Sequence, residues 1–220
     1  MSPAPKSHKP VKRTPTKRIE SVKDPHLESV HLKFSGELFG VSAKRGRSGV
    51  NVNKKKVDKL VNQRRIGKSI WDATGYSTVH THPLKERIVD DLGTKRQNPT
   101  LPSSEDINEF MNDFGSRSMI IAQTHPKSGK VAGYYFLRKT YARPKVVMPE
   151  HPTRSYIDIG LDDYRQIEAR GGNASNLERE ESLRKVADNL GIHLRTVVNK
   201  KAGTSFVYKP GRGFVRTESK

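Results

Sequence analysis

Residues 77–83 read Ser-Thr-Val-His-Thr-His-Pro (STVHTHP). The apolar and β-branched residues of this stretch, with proline at its end, predict a short strand over 76–82. Side chains alternate between the two faces of a strand, so His80 and His82 point to one side and Thr81 to the other. Two imidazoles on one face at that spacing suit a single metal ion. Zinc accepts nitrogen and carboxylate oxygen in a tetrahedral shell, and it needs a third protein ligand. The chain contains no cysteine, so thiolate ligands and disulfides are excluded. The ligand must come from an acid or from another of the eight histidines.

Downstream lies PSSED, residues 102–106, with Ser103 and Asp106 in an S-x-x-D arrangement ahead of an apolar run. That arrangement is also a capping box, in which serine caps a helix and the acid reaches back. The two roles are compatible, because an acid in a first helical turn projects beyond the helix end. Ser103 or Ser104 opens the predicted helix, whose Ile107, Phe110, Met111 and Phe114 fall at i, i+3, i+4 and i+7.

Together, HTHP followed by PSSED resembles the metal-binding signature of the JAMM (Jab/MPN) metalloprotease family, H-x-H-P…S-x-x-D. The family's upstream glutamate, usually in E-x-x-G, finds a match in Glu37-Leu-Phe-Gly40, with Glu37 43 residues before His80. The resemblance covers roughly residues 28–140. It implies that His80, His82 and Asp106 ligate Zn²⁺, that Glu37 carries the proton of the attacking water, and that Ser103 donates to the oxyanion. The implied activity is hydrolysis of peptide or isopeptide bonds, in many relatives bonds to ubiquitin-like modifiers. The gap from His82 to Asp106 is longer than the family's usual one. The excess, residues 84–102, reads as a polar irregular stretch and a candidate lid or substrate loop.

The wider pattern mixes helices and hairpins, which favours an α+β fold over a doubly wound one. The resemblance sharpens this to a JAMM/MPN-like (cytidine-deaminase-like) mixed sheet flanked by helices. Residues 1–25 are rich in Pro, Lys, Arg, Ser and Thr and read as a disordered basic tail. The metalloprotease-like domain is expected over 26–145. Within it, 28–43 reads as a strand with Gly36 and Gly40 as bulges, 44–49 as a turn and VNKKKVDKLVNQRR as a basic helix. Residues 118–125 and 131–140 read as a β-hairpin around a Pro/Gly loop, in which His125 is a turn residue. Residues 151–220 form an expected α+β extension, with helices over 162–170 and 174–190. A hairpin of IHLRTVVN with TSFVYKP follows, and PGRGF is a turn.

Hydrophobic residues make up 32% of the chain, so a core forms only if part of the chain stays outside it. The net charge of +19 is concentrated: residues 1–24 hold seven Lys/Arg against two acids, and residues 41–70 hold ten against one. Such an excess attracts polyanions, nucleic acid first among them. No run approaches the roughly 20 apolar residues of a membrane span, and the N-terminus lacks an apolar signal core. An intracellular location, cytoplasmic or nuclear, is expected. Two readings follow. One is a zinc-dependent hydrolase acting on a protein substrate. The other is a nucleic-acid-associated binding or scaffold protein whose JAMM core is metal-inactive or RadC-like.

Overall fold

The structure, a computed structural model, describes residues 19, 23–25, 27–34, 37–45, 50–65, 75–83, 85–89, 95–98, 101–113, 115–125, 128–140, 144–146, 154–170, 174–199 and 206–216. Nearly all of the expected tail, most of the 44–49 turn, and Phe114 lie outside them.

The first half of the chain runs β1 (Ser29–Phe34), β2 (Glu37–Gly40), β3 (Ser42–Arg45), β4 (Val50–Val52), α1 (Lys54–Arg65), β5 (Tyr76–Pro83), β6 (Lys85–Val89), β7 (Lys95–Asn98) and α2 (Ser104–Asn112). Then come β8 (Ser116–Thr124), β9 (Val131–Lys139), α3 (Tyr156–Ala169), α4 (Asn176–Asn189), β10 (Ile192–Val198), β11 (Phe206–Lys209) and β12 (Gly213–Arg216). This is an α+β fold, with a mixed sheet accompanied by four helices.

Six strands form the main sheet in the order β10-β9-β8-β5-β1-β2. Only β5 and β8 run parallel; every other neighbouring pair is antiparallel. A parallel pair cannot be closed by a tight turn. Here β6, β7 and α2 occupy the crossover, which carries Asp106 back toward the end of β5. The β8–β9 hairpin turns through His125, which accepts from Gly129 N–H and donates to Lys130 O through its own backbone. Gly129 has φ 64°, a conformation that favours glycine. His125 thus stands at the mouth of the turn, as its place before the Pro/Gly loop predicts.

One row of cross-strand partners locates the core. Val30 on β1 pairs with His80, His80 with Ile121 on β8, and Ile121 with Tyr135 on β9. Paired residues share a face. On the β1 side, Val30, Leu32, Phe34 and Tyr76 pack with Leu60 of α1. On the other side, Met119, Ile121, Tyr135 and Leu137 pack with Ile107 and Phe110 of α2, Leu161 of α3 and Leu183 of α4. His80 therefore sits on the seam between two apolar clusters. Removing one of these buried leucines costs about 2–5 kcal/mol.

Several expectations change. Residues 28–43 are not one bulged strand: β1 and β2 pair from Phe34↔Glu37 to His31↔Gly40, so the chain reverses there and β3 follows. The polar stretch 84–102 contains a two-stranded antiparallel ribbon, β6–β7. Polarity hid it, because the backbone ladder does not need apolar side chains. Residues 192–198 do not pair with the 204–210 segment; β10 is the edge of the main sheet beside β9. The C-terminal hairpin is β11–β12, turning through the expected PGRG with positive φ at Gly211 and Gly213. Phe214 of that hairpin lies so close over Gly133 that no Cβ fits there, which fixes the hairpin against β9. Helix α3 begins at Tyr156, ahead of the expected 162, because Ser155 caps it. Residues 154–199 thus supply a strand to the main sheet and two helices to its largest apolar cluster.

Candidate metal centre

Strand β5 presents His80 and His82 on the helix-bearing face, and α2 presents Asp106 from its first turn. His80 Nδ1 lies 3.4 Å from Asp106 Oδ1, and His82 Nε2 lies 3.8 Å from Asp106 Oδ2. One donor atom from each residue falls within 4.8 Å of the others. Bonds of about 2.0–2.2 Å to a tetrahedral zinc place neighbouring donors about 3.4 Å apart. The two nitrogens and one oxygen therefore fit such an ion after small side-chain adjustments. The His82 side chain is 6% exposed, and those of His80 and Asp106 are 14% and 15% exposed, so solvent reaches one side of the group.

The capping box and the ligand arrangement coincide. Asp106 Oδ2 accepts from Ser103 N–H at 2.8 Å and from the Ser103 hydroxyl at 2.7 Å, while Asp106 N–H donates to Ser103 Oγ at 3.0 Å. With Oδ2 held by two donors, Oδ1 faces His80. The Ser103 proton points at Asp106, which makes Ser103 the anchor of that carboxylate. The same S-x-x-acid motif caps α3 through Ser155 and Asp158 and opens α4 through Ser175 and Glu178. The motif alone therefore marks helix starts; the two facing imidazoles distinguish the Asp106 copy.

Helix α3 clamps this turn from outside. Glu168 accepts from Ser104 N–H at 3.1 and 3.2 Å, and the Tyr164 hydroxyl donates to Pro102 O at 2.7 Å. Burial alone would raise the Asp106 pKa. Its interaction with His80, the charges of His82 and His80 and the Ser103 N–H outweigh that and hold the carboxyl well below the usual range.

Glu37 is not brought to this group. It pairs with Phe34, four residues along β1 from the Val30–His80 pair. At ~3.4 Å per residue that is about 14 Å along the strands, and β2 lies one strand further out. Glu37 is exposed. Two other acids lie nearer. Glu28 precedes Val30 by two residues. Since Ser29 pairs with Thr81, continuing that register sets Glu28 level with His82 on the histidine-bearing face. The period-two set Glu28, Val30, Leu32, Phe34 is the sequence signal for it. Glu109 stands one turn beyond Asp106 on α2. The residue is exposed, and partial desolvation of its carboxyl, the main influence, raises the pKa, with His80 opposing and Asp106 adding to the rise.

No protein-family model, no curated protein and no solved structure matches the chain. The case for this centre rests on its own residues.

Proposed function

We propose that the chain is a zinc-dependent hydrolase of peptide or isopeptide bonds, of the JAMM type. The observation that carries this reading is the meeting of His80, His82 and Asp106 across the β5–α2 crossover. His80 and His82 supply neutral nitrogen donors, and Asp106 supplies a charged oxygen. A zinc ion held there supplies a Lewis acid that makes water nucleophilic near neutral pH. Ser103 and the α3 clamp fix the direction of Asp106. Glu28 takes the place the resemblance gives to Glu37: it accepts the proton of the attacking water and hands it to the leaving amine. Removal of ubiquitin-like modifiers is the member of this class that the resemblance favours. The β6–β7 ribbon, inserted in the sequence between His82 and Asp106, takes in this reading the role of a substrate-bordering element.

Metal analysis tests the reading. Purified protein is expected to hold one zinc per chain, and Asp106→Asn to lose it. Asparagine still accepts from Ser103 N–H, so the helix cap survives while the ligand charge goes. Full zinc content in Asp106→Asn, or full hydrolysis by His80→Ala/His82→Ala, overturns it.

A further inference from the structure

Among the described residues, the cations of α1 differ from those of the α3–α4 side. On the α3–α4 side they are matched by acids: Lys145 pairs with Asp188, Arg154 with Asp162, Arg165 with Asp158, Arg170 with Glu178, Arg184 with Glu180 and Lys185 with Asp163. On α1 they are not. Lys54, Lys55, Lys56 and Lys59 are all exposed, and among the described residues none enters an ion pair. The sequence around them, residues 41–70, holds one acid against ten Lys/Arg. Three of these lysines are consecutive in the first turn of α1, which contains no acid. Cations at that end of a helix oppose its dipole, so the arrangement is unfavourable for the isolated fold. The apolar stripe of α1, Val57, Leu60 and Val61, is spent on the core, leaving the lysine face outward.

We infer that the exposed lysine face of α1 is a nucleic-acid-binding surface that takes the phosphodiester backbone without reading its sequence. Unpaired, closely spaced ammonium groups on a rigid helix suit a repeating phosphate, and neutralising them releases condensed counterions. The described part of the helix face carries no aromatic residue for base stacking, so contact is with the backbone. The surface adjoins the candidate metal centre. Lys54 is among the charges that act on Glu109, whose other charged neighbours include His80 and Asp106. This inference does not rest on the hydrolase reading.

The test uses the full chain and short labelled DNA and RNA of mixed sequence, with affinity followed against salt by fluorescence anisotropy. Lys55→Glu/Lys56→Glu/Lys59→Glu is compared with Lys145→Glu/Arg154→Glu/Lys185→Glu, which changes net charge equally but strikes the paired side. Exposed ion pairs contribute little to folding, and circular dichroism checks that both variants fold. The α1 variant is expected to bind at least tenfold more weakly, with a salt slope shallower by about 3 for duplex DNA. The paired-side variant is expected to stay within about threefold of the parent. Equal weakening in both variants overturns the inference, because net charge or the tail would then account for binding. Displacement of nucleic acid by anionic vesicles or polyglutamate at equal charge also overturns it. Unchanged binding by His80→Ala/His82→Ala in chelator is expected, and keeps this result separate from the fate of the metal centre.

Discussion

Glu168, on α3, accepts the backbone N–H of Ser104, the first residue of α2, through both carboxylate oxygens. A residue more than sixty positions away in sequence thus fixes the turn that aims Asp106 at the two histidines. The helix start would otherwise leave that N–H to solvent. The segment after residue 154 is therefore part of how the candidate centre is built.

Glu168→Ala is expected to weaken zinc binding less than about tenfold, below the usual effect of removing a direct partner of a ligand, because Glu168 acts on Asp106 only through the turn at Ser104. Tyr164→Phe acts on the same turn by leaving the buried Pro102 carbonyl without its donor, and is expected to cost about 1–3 kcal/mol. Competition titration with a chelator reads the first, and urea unfolding of the apo-protein reads the second. Unaltered zinc affinity in Glu168→Ala would show that α2 holds its register unaided.

Ser103→Ala removes the hydroxyl that both caps α2 and donates to Asp106 Oδ2. Loss of the cap is expected to lower stability by about 1 kcal/mol. Zinc affinity is expected to fall as well, since the carboxylate loses one of its two anchors. Ser103→Thr keeps the hydroxyl and is expected to restore both. Thermal unfolding and metal titration on the two variants check this.

What could be read in the sequence follows from how local the signal is. β5, α2 and the β8–β9 hairpin were legible because alternation, the S-x-x-D cap and a Gly-containing turn lie within their own segments. β10 was assigned to the wrong partner because its true neighbour, β9, lies two helices earlier, and pairing at that range leaves no local mark. The ribbon β6–β7 was invisible because its residues carry no clear alternation. The meeting of His80, His82 and Asp106 was legible as a pattern, whereas the pairing of Glu37 with Phe34, away from the histidine row, was not. Reading 28–43 as one strand concealed the antiparallel pairing of β1 with β2, which carries Glu37 away, while the β1–β5 register continued by one residue sets Glu28 level with His82.

The Glu109 carboxyl gives a pH-dependent prediction. Glu109 is exposed, but partial desolvation of its carboxyl raises its folded pKa above the unfolded value, so the native state holds this proton slightly more tightly than the unfolded chain. Its effect is absent at pH below the unfolded value and destabilises as pH rises through the folded one. In chelator, Glu109→Gln is expected to be slightly more stable than the parent at pH 7, by no more than about 0.5 kcal/mol because the group is solvent-screened, and indistinguishable from it near pH 4. Unfolding curves at the two pH values measure this. A variant less stable at pH 7 would mean that the charges of His80 and Lys54 outweigh burial.

Glu28 and Glu37 give the sharpest test of the catalytic reading, because both are glutamates near the start of the same sheet and only one stands at the histidine row. Glu28→Gln removes the proposed proton carrier and leaves His80, His82 and Asp106 untouched. It is expected to lower kcat about 10²–10⁴-fold on peptide and isopeptide-linked substrates. Zinc content is expected to remain at the parent level, which separates loss of chemistry from loss of the centre. Glu37→Gln, about 14 Å away along the strands, is expected to keep kcat within about twofold, as a surface substitution does. Steady-state kinetics with metal analysis on both variants decides. The reverse pattern, with Glu37→Gln inactive and Glu28→Gln active, would require β2 to slide toward the histidines when substrate binds, and it would return the proton-carrying role to the residue that the motif alone selects.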